Sequence, residues 1–397
     1  MEKGNEIKTV IPTLRFPEFQ DTVGWKEYKL KSLCEIGNGK DYKHLGRGNI
    51  PVYGSGGYMT SVDDFLYDGE SVCIGRKGTI DKPIFLTGKF WTVDTLFYTH
   101  SFHNCLPKFL YLIFQKINWY KYNEAGGVPS LSKTTIGEIN VFVPVGEKGE
   151  LKEQQKIVDC IFSLDELIEA TAQKVEVLKE HKKGLMQQLF PAEGKNVPDL
   201  RFPEFQEKKE WKEKQLGNIG EIITGNTPST KDITNYGGNK LFVSPADISS
   251  NRYVSDTKIK LTDKGFTVGR YIPANSVLFV CIGSTIGKVA QNKFECITNQ
   301  QINSIVPYEE YLSDFIYSVL EHKASQIAML AGQQAVPIIN KTLFSSISIL
   351  VPPQKEEQEK MANCLSSLDE LIEVTSRKVE ILKEHKKGLM QQLFPKI

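Results

Sequence analysis

The sequence predicts an α+β protein made of two α/β-mixed domains in a pseudo-two-fold arrangement, with two long helices that pair as a coiled coil. Three observations lead to this prediction: a repeated entry segment, a repeated helix, and a framework shared by the segments between them. The chain has 397 residues, which is enough for two or three domains that each bury a core. Internal repeats are considered first because a missed repeat misassigns the whole fold.

The first repeat is a short entry segment that is rich in phenylalanine. Residues 12–20 (PTLRFPEFQ) return as residues 198–206 (PDLRFPEFQ), an offset of 186 positions from Leu14 to Leu200. A Trp-Lys-Glu triplet at residues 25–27 returns with the same offset at residues 211–213. The chain therefore consists of an entry segment, a variable domain and a long helix, followed by the same three parts again.

The second repeat is the long helix. Residues 163–191 reappear as residues 367–395 with four substitutions. Apolar residues alternate at spacings of four and three, which is the heptad pattern of a coiled-coil seam. From residue 153 to residue 190 the helix would be about 55 Å long, and so narrow an apolar stripe needs a partner. The other copy is the expected partner; packing of each helix on its own variable domain alone is the alternative.

Lys182 and Lys386 occupy core-type positions of this seam, where a lysine either extends outward or sets register and orientation. Thr171 and Thr375 also lie on it. The apolar seam residues of the two copies are Leu164, Ile168, Val175, Leu178, Leu185, Leu189, Leu368, Ile372, Val379, Leu382, Leu389 and Leu393.

The variable domains share a framework and differ elsewhere. The VCIG segment at residues 72–75 matches the VCIG segment at 280–283, and residues 133–144 match residues 341–352. Short apolar runs at 276–282 and 345–351 predict strands, and helices are expected around 108–116 and 312–323. The predicted boundaries are 1–150 for the first domain with its entry segment, 151–192 for the first helix, 193–354 for the second domain with its entry segment, and 355–397 for the second helix.

Composition predicts a globular protein of the cytoplasm. Hydrophobic residues make up 40% of the chain and charged residues 24%, and no apolar run approaches the ~20 residues of a membrane span. The N-terminal residues carry charges where a signal peptide needs an apolar stretch. The 7 cysteines lie singly, which is typical of free thiols in a reducing compartment. The net charge is +1, so any DNA-binding surface must come from segregation of the charges.

Motifs for catalysis and metal binding are not found in the sequence. No Asn/Asp-Pro-Pro-aromatic motif of an amino-methyltransferase occurs, and the P-loop-like residues 283–289 are one residue short. A nuclease-like set at Asp199, Glu207 and Lys209 belongs to the entry repeat, whose first copy has Thr13 in place of Asp199. His100, His103 and Cys105 lie close together in sequence, but no fourth zinc ligand is evident. We therefore expect no catalytic residue, no metal and no cofactor bound by this chain.

Two diverged domains, each entered through PxLRFPEF and each followed by the LDELIE…KVExLKEHKKGLMQQLF helix, resemble the specificity subunits of type I restriction-modification systems. The resemblance covers essentially the whole chain. It implies two target recognition domains that each read one half of a split DNA target, and two helices that form an antiparallel coiled coil between them. It also implies partners: double-stranded DNA, two adenine methyltransferase (modification) subunits, and restriction subunits. S-adenosylmethionine, ATP and Mg²⁺ would be bound by those partner subunits.

Residues that contact bases are expected in polar, glycine-rich loops, where side chains and backbone can approach the groove edges. Asn and Gln suit adenine, and Arg suits guanine. For any one of these residues, an ordinary solvated loop is the alternative. The candidates are Ser55, Tyr58, Arg76, Lys77, Ser130 and Lys133 in the first domain, and Thr227, Lys231, Ser284, Lys288, Asn299, Gln300, Gln334 and Lys341 in the second.

Two other classes of function remain as alternatives. A free-standing DNA-binding regulator would use the same surfaces without a methyltransferase partner. A self-sufficient modification or restriction enzyme is disfavoured, because its motifs are missing and the length of the chain is fully used.

Pseudo-symmetry makes a structural prediction that is independent of function. The first helix leads through a linker into the second entry segment, so joining the two ends of the chain would recreate that junction. Phe16 is therefore expected beside Phe394, just as Phe202 is expected beside Phe190. The two ends of the chain are expected to lie close together at the surface.

Overall fold

The computed structural model describes residues 9–146, 151–249, 251–332 and 337–396. The chain divides into two compact units, one formed by Met1–Ala170 with Glu380–Ile397 and the other by Thr171–Val379. Each long helix begins in one unit and ends in the other, so each unit contains one variable domain, the start of one helix and the end of the other. The predicted boundaries treat the helices as separate segments and stay a prediction.

The first domain is α+β, as predicted. Its elements, in chain order, are β1 (Thr9–Val10), β2 (Trp25–Lys29), α1 (Leu30–Leu33), β3 (Glu35–Asn38), β4 (Arg47–Gly54), β5 (Gly57–Val62), β6 (Tyr67–Asp68), β7 (Ser71–Gly75), β8 (Ile84–Leu86), β9 (Lys89–Thr92), β10 (Leu96–His100), α2 (Pro107–Lys116), α3 (Lys133–Gly137), β11 (Asn140–Val143) and α4 (Lys152–Leu189). The sheets have the strand orders β1-β2-β11, β3-β10-β7-β8 and β5-β4-β9-β6.

The second domain contains, in chain order, β12 (Lys212–Gln215), β13 (Gly220–Thr224), β14 (Tyr236–Val243), β15 (Tyr253–Val254), β16 (Ile259–Leu261), α5 (Asp263–Val268), β17 (Tyr271–Ile272), β18 (Val277–Val280), β19 (Val289–Asn292), β20 (Cys296–Thr298), β21 (Ile302–Pro307), α6 (Ser313–Met329), α7 (Lys341–Ser346), β22 (Ser348–Val351) and α8 (Lys355–Leu393). Its strand orders are β12-β22, β13-β21-β18-β19-β15 and β16-β14-β20-β17. This is the topology of the first domain with one added strand, β15, which pairs in parallel with β19, and with no counterpart of β1 among the described residues. In both domains the third of these sheets contains one parallel pair, β4 with β9 and β14 with β20.

The structure corrects the match between the two VCIG segments. Val72 faces the core that contains the long helices, and Val277 does the same in the second domain, whereas Val280 packs in a separate cluster. Successive strand residues face opposite sides of a sheet, so Val72 corresponds to Val277 and not to Val280. Gly78 and Gly283 then coincide, and both have φ of 93°. The VCIG match is therefore wrong by three residues. Buried strands are built from few residue types, so four identical residues in two strands do not show that these residues occupy equivalent positions.

The long helices α4 and α8 run antiparallel, as the resemblance implied. In one unit the Lys386 ammonium lies 2.6 Å from Asp165, and in the other the Lys182 ammonium lies 2.5 Å from Asp369. The contact that lies later in α4 therefore lies earlier in α8, as is expected of two antiparallel helices. Every apolar residue of the predicted seam is buried or half-buried, so the heptad spacing marks the covered face of both helices.

The entry segment is held by a buried ion pair at the start of α4. The Arg15 guanidinium donates from Nε and Nη2 to the two carboxylate oxygens of Glu153, at 2.7 Å each. Its nitrogens also donate to the carbonyls of Thr22 and Val23 at 3.0 Å. The Trp25 indole donates to the same Glu153 carboxylate at 3.0 Å. One carboxylate therefore joins the entry segment, the first long strand and the helix.

The second entry segment repeats this arrangement. Arg201 donates to both oxygens of Glu357 at 2.8 Å, and the Trp211 indole donates to it at 3.1 Å. The hydrogen bond to Glu357 raises the pKa of Arg201. The repeated arginine and tryptophan of the sequence thus serve as anchors for a glutamate in the first turn of each long helix.

The predicted docking of the first entry segment on the end of α8, which closes the first unit, is confirmed. The Leu14 amide donates to the Gln392 carbonyl at 3.0 Å, which attaches the entry segment to the last turn of α8. Phe16 packs against the core cluster that contains Phe394, and the Trp25 ring lies 5.6 Å from the Phe394 ring. The entry segment therefore docks on the end of a helix that is about 380 residues away in sequence.

The second unit shows the equivalent contacts across the central linker. The Leu200 amide donates to the Gln188 carbonyl at 2.9 Å. Phe202 packs against the cluster that contains Phe190, as predicted. Equivalent segments therefore make equivalent contacts, whether or not the chain connects them directly.

A circular permutation tests this closure. We expect a chain opened between Glu193 and Gly194, with the original ends joined by a short flexible linker, to fold with its thermal midpoint within about 4 °C of the parent. The linker residues there are exposed and exposed backbone tolerates interruption. Calorimetry measures the midpoint.

A permutation opened between Gln173 and Lys174, inside α4, is the control and should not fold, because it divides the seam. Equal stability of the two permuted chains would contradict the closure.

Candidate nucleic-acid interface

A cleft of about 820 Å³ opens in the first domain, which we name the first cleft. Four of the six predicted first-domain residues line it: Arg76, Lys77, Ser130 and Lys133. Arg76 and Lys77 are exposed and follow β7 directly, whereas Lys133 is the first residue of α3. Residues from distant parts of the sequence are thus brought to one surface.

Backbone pairing forms the floor of the first cleft. Lys77 and Ser130 form an antiparallel bridge. Beside it, the Gly78 amide donates to the Pro129 carbonyl and the Leu131 amide donates to the Arg76 carbonyl, both at 2.9 Å. Gly78 has φ of 93°, a conformation that favours glycine. These bonds fix the loop that carries the two cations.

The other two first-domain candidates lie on the turn and second strand of the β4–β5 hairpin. A Cβ atom placed on Gly78 would lie 3.2 Å from the Ser55 hydroxyl, so Ser55 adjoins the loop of Arg76 and Lys77. Tyr58 is 63% exposed, and its hydroxyl lies 3.1 Å from that of Ser61. Neither residue lines the first cleft: Ser55 adjoins one of its loops, and Tyr58 lies on the neighbouring hairpin surface.

The loop at residues 123–131 forms another wall of the first cleft. The Asn123 side chain donates to the Ala125 carbonyl at 2.8 Å and accepts from the amides of Ala125 and Ser130. The Glu124 amide donates to the Ser130 carbonyl at 3.0 Å. These bonds hold the loop in one conformation, with the Glu124 carboxylate at the cleft.

The second domain builds the same backbone from different side chains. Ile282 bridges Ile338, the Gly283 amide donates to Pro337, and the Ile339 amide donates to the Cys281 carbonyl. These bonds match those of the first cleft one for one. Cys281 and Ile282 therefore stand where the first domain has Arg76 and Lys77, and Ile338 stands where it has Ser130.

Amide and hydroxyl groups form the polar surface of the second domain instead. Thr227 donates to the Gln300 side chain at 2.6 Å, and both residues are exposed. The Asn299 side chain donates to Gln301 at 2.9 Å and accepts from the Gln301 amide at 3.1 Å. The structure thus brings together three predicted residues: Thr227, which lies shortly after the end of β13, and Asn299 and Gln300, which directly follow β20.

The remaining second-domain candidates lie apart from that group. Lys231 and Lys341 are exposed, Lys341 being the first residue of α7, and Ser284 is exposed beside Gly283. Lys288 donates its ammonium to the carbonyls of Ile248 at 2.7 Å and Pro245 at 3.3 Å, which gives it a role in holding that loop. Gln334 lies outside the described residues.

Sequence reasoning missed several polar residues that line the first cleft, among them Asn38, Asp94 and Glu124. All three lie outside the framework motifs, so no local signal indicated that they line the same cleft as Arg76. Asn123-Glu124 before a Gly-Gly pair is the one usable clue, because a short polar residue before glycines is typical of a structured loop.

The described residues form neither a metal site nor a membrane-spanning helix. No group of three or more His, Cys, Asp or Glu side chains there is placed to hold a metal ion. Cys105 of the zinc-like set is buried, and burial raises its pKa well above the ordinary value. None of the described helices has the length and apolar character needed to cross a membrane.

Comparison with known proteins gives consistent matches. The family model described as type I restriction modification DNA specificity domain matches residues 22–180 and again residues 208–384. The HindI type I restriction enzyme specificity subunit of Haemophilus influenzae is 24% identical over 395 residues, covering 81% of this chain and 82% of the relative. The EcoR124I/EcoR124II specificity subunit of Escherichia coli is 30% identical over 176 residues, 41% of each chain.

Solved structures share the fold. The S subunit of a type I restriction-modification system from M. genitalium superposes with a TM-score of 0.68 at 14% identity, covering 98% of this chain and all of the other. A chain from a study of assembly and conformational transition in a type I system gives a TM-score of 0.57 at 12% identity, with 94% and 98% covered. Because the family model matches both halves of the sequence, the chain belongs to the family of type I restriction-modification DNA specificity domains.

Proposed function

We propose that this chain reads an asymmetric, two-part DNA target for a type I restriction-modification complex, one domain for each half of the target. In this proposal it binds two adenine methyltransferase subunits, and restriction subunits join the assembly. The chain itself performs no chemistry; S-adenosylmethionine, ATP and Mg²⁺ belong to the partner subunits.

One observation carries the asymmetry of the target. The two domains have one backbone design at the cleft, but Arg76, Lys77 and Ser130 of the first are replaced by Cys281, Ile282 and Ile338 in the second. Base contacts specify sequence, whereas backbone positions only place them. Two readers with one frame and different side chains are suited to two different half-sites.

The first cleft has the chemistry that reading a groove edge needs. Arg76 and Lys77 are exposed next to a glycine whose backbone can approach closely, and Arg or Lys on guanine is the commonest specific contact. In the second domain, the Thr227, Asn299 and Gln300 side chains supply amides and a hydroxyl, which suit adenine edges. The fourteen predicted residues stay proposed contacts, with Lys288 the least suited because its ammonium is engaged by two carbonyls.

The long helices offer surfaces for partner subunits. Each leaves apolar side chains exposed at equivalent positions, Val177 on α4 and Ile381 on α8, at 63% and 56% exposure. Because the two helices repeat the same surface, a partner that contacts one of them finds the equivalent contact on the other. Two equivalent surfaces suit two copies of one methyltransferase subunit.

The proposal is tested by exchanging residues 25–144 for the corresponding domain of another specificity subunit. The hybrid, expressed with its methyltransferase partner, should change one half of the methylated target and leave the other half intact, because each domain carries its own base contacts. Sequencing the methylated adenines of cells that express each complex gives both targets directly. Simultaneous change of both halves would mean that the domains form one continuous reading surface.

Co-purification separates the proposal from the regulator alternative. The chain should retain an adenine methyltransferase subunit through a column that removes unbound protein. A chain that binds DNA sequence-specifically but retains no methyltransferase would be a free-standing regulator.

A further inference from the structure

The first cleft contains carboxylates, which a surface built only for phosphate would not. Glu124 and Asp94 line it together with Arg76, Lys77 and Lys133. DNA phosphates repel a carboxylate, so an acidic side chain there lowers sequence-independent affinity. A carboxylate in such a cleft can instead accept hydrogen bonds from base donors, which in the major groove are the amino groups of cytosine and adenine.

The Glu124 carboxylate is held in place and held in its charged form. It accepts hydrogen bonds from the Ser132 hydroxyl at 2.7 Å and from the Thr135 hydroxyl. The Thr135 and Ser132 hydrogen bonds lower the pKa of Glu124, and the side chain is exposed. An ionised carboxylate only accepts hydrogen bonds, so it favours a base donor and rejects a base acceptor.

Arg76 lines the same cleft, and its backbone is held in place. Its amide donates to the Thr95 carbonyl at 2.8 Å and its carbonyl accepts from the Leu131 amide, so the backbone is fixed on both sides. The guanidinium carbon lies 6.0 Å from the centre of the Phe97 ring, which limits where the side chain points. A guanidinium donates in a planar fork that fits the O6 and N7 atoms of guanine.

We propose that Arg76 and Glu124 together select one G·C pair in the half-site that the first domain reads. Arg76 donates to guanine, and Glu124 accepts from the amino group of the paired cytosine. This inference rests on the proposed DNA-reading function. It adds Glu124 as a residue that determines specificity and names the base pair that it recognises.

Among the described residues of the second domain, no cation stands at the position equivalent to Arg76. Cys281 stands where the first domain has Arg76; it is buried, and burial raises the pKa of its thiol to about 12. Neither a cation nor a bidentate donor is available from that position. The G·C selection therefore belongs to the first half-site alone.

The test uses the complete complex with its methyltransferase subunits. Methylation rates are measured on duplexes in which each base pair of both half-sites is replaced in turn, for the wild type and for Glu124→Gln and Arg76→Gln. We expect both variants to lose discrimination at the same G·C position of the first half-site, by about 5- to 150-fold. Discrimination at the second half-site should not change.

Glu138→Gln is the matched control, because Glu138 is exposed at the far end of α3 and pairs with Lys29 and Lys31 instead of lining the cleft.

Four outcomes overturn the inference while the proposed function stands: a first half-site without G·C, loss at two different positions, loss at an A·T position, or a uniform change in rate at every sequence. A wild-type complex that methylates no split target would instead overturn the proposed function itself. The thermal midpoint of each variant is measured alongside, and Glu124→Gln keeps an oxygen that accepts from Ser132 and Thr135.

Discussion

Replacing Glu357 by alanine is expected to lower the free energy of unfolding of the second unit by about 3–5 kcal/mol. Glu357 is 1% exposed and Arg201 is 4% exposed at their side chains, so the change leaves a buried guanidinium without its partner. The Trp211 indole also loses its acceptor. Denaturant unfolding followed by tryptophan fluorescence, with hydrogen exchange to assign the unit, measures the loss.

Glu356→Ala is the matched control. Glu356 also lies in the first turn of α8 but is exposed, so both variants lose the same favourable interaction with the helix dipole. We expect Glu356→Ala to change stability by less than about 0.5 kcal/mol. Replacing Arg201 and Glu357 together by methionine and leucine should recover part of the loss, because no unpaired charge is then buried. Equal effects of Glu357→Ala and Glu356→Ala would show that the ion pair is not the cause.

The same reasoning applies to Glu153 in the first unit, where Arg15 and Trp25 share the carboxylate. Glu153→Ala should destabilise that unit in the way that Glu357→Ala destabilises the other. The entry motif of the sequence is thereby explained in physical terms: its arginine reaches a glutamate 138 positions later in the first copy and 156 later in the second.

The sequence correctly predicted the features that follow from helical periodicity and from the internal repeats. The heptad seam marked the covered face of α4 and α8, because the spacing of apolar residues on a helix determines which face can be buried. The entry repeat predicted the Phe16–Phe394 and Phe202–Phe190 neighbourhoods, because equal segments make equal contacts. Neither prediction needed a side-chain partner to be known.

Long-range contacts set the limit of sequence reasoning. The register of the two VCIG strands depends on which face meets the helices, and the four letters carry no such information. Glu124 lines the first cleft on a loop that the Asn123 side chain and the Glu124 amide hold against Ser130. Lys288 has the sequence signature of a loop cation, yet two carbonyls bind it. Each of these depends on a partner that the sequence places tens of residues away or in no recognisable motif.

The lysines at equivalent seam positions differ in their surroundings, and that difference predicts unequal effects. Lys182 lies 2.5 Å from both Glu321 and Asp369, and its side chain is 7% exposed. Within the part of the chain that the structure describes, Lys386 pairs with Asp165 alone, and its side chain is 20% exposed. The position on α2 that corresponds to Glu321 is Gln115, since Phe109 packs on Trp25 as Phe315 packs on Trp211.

Lys182→Met is therefore expected to cost about 3 kcal/mol, at the lower end for a broken buried pair because Glu321 keeps a third of its side chain exposed. Lys386→Met, the matched control, should cost less than about 1 kcal/mol.

Burial already raises the pKa of Glu321, and removing Lys182 raises it further. A carboxyl with a raised pKa in the folded state favours folding at low pH and loses that contribution as the pH rises through the folded-state pKa. The deficit of Lys182→Met should accordingly be largest at neutral pH and shrink on acidification, as unfolding measured at pH values of about 7.5 and about 5 would show. A deficit that is constant or grows on acidification would mean that Lys182 acts through packing and not by neutralising buried carboxylates.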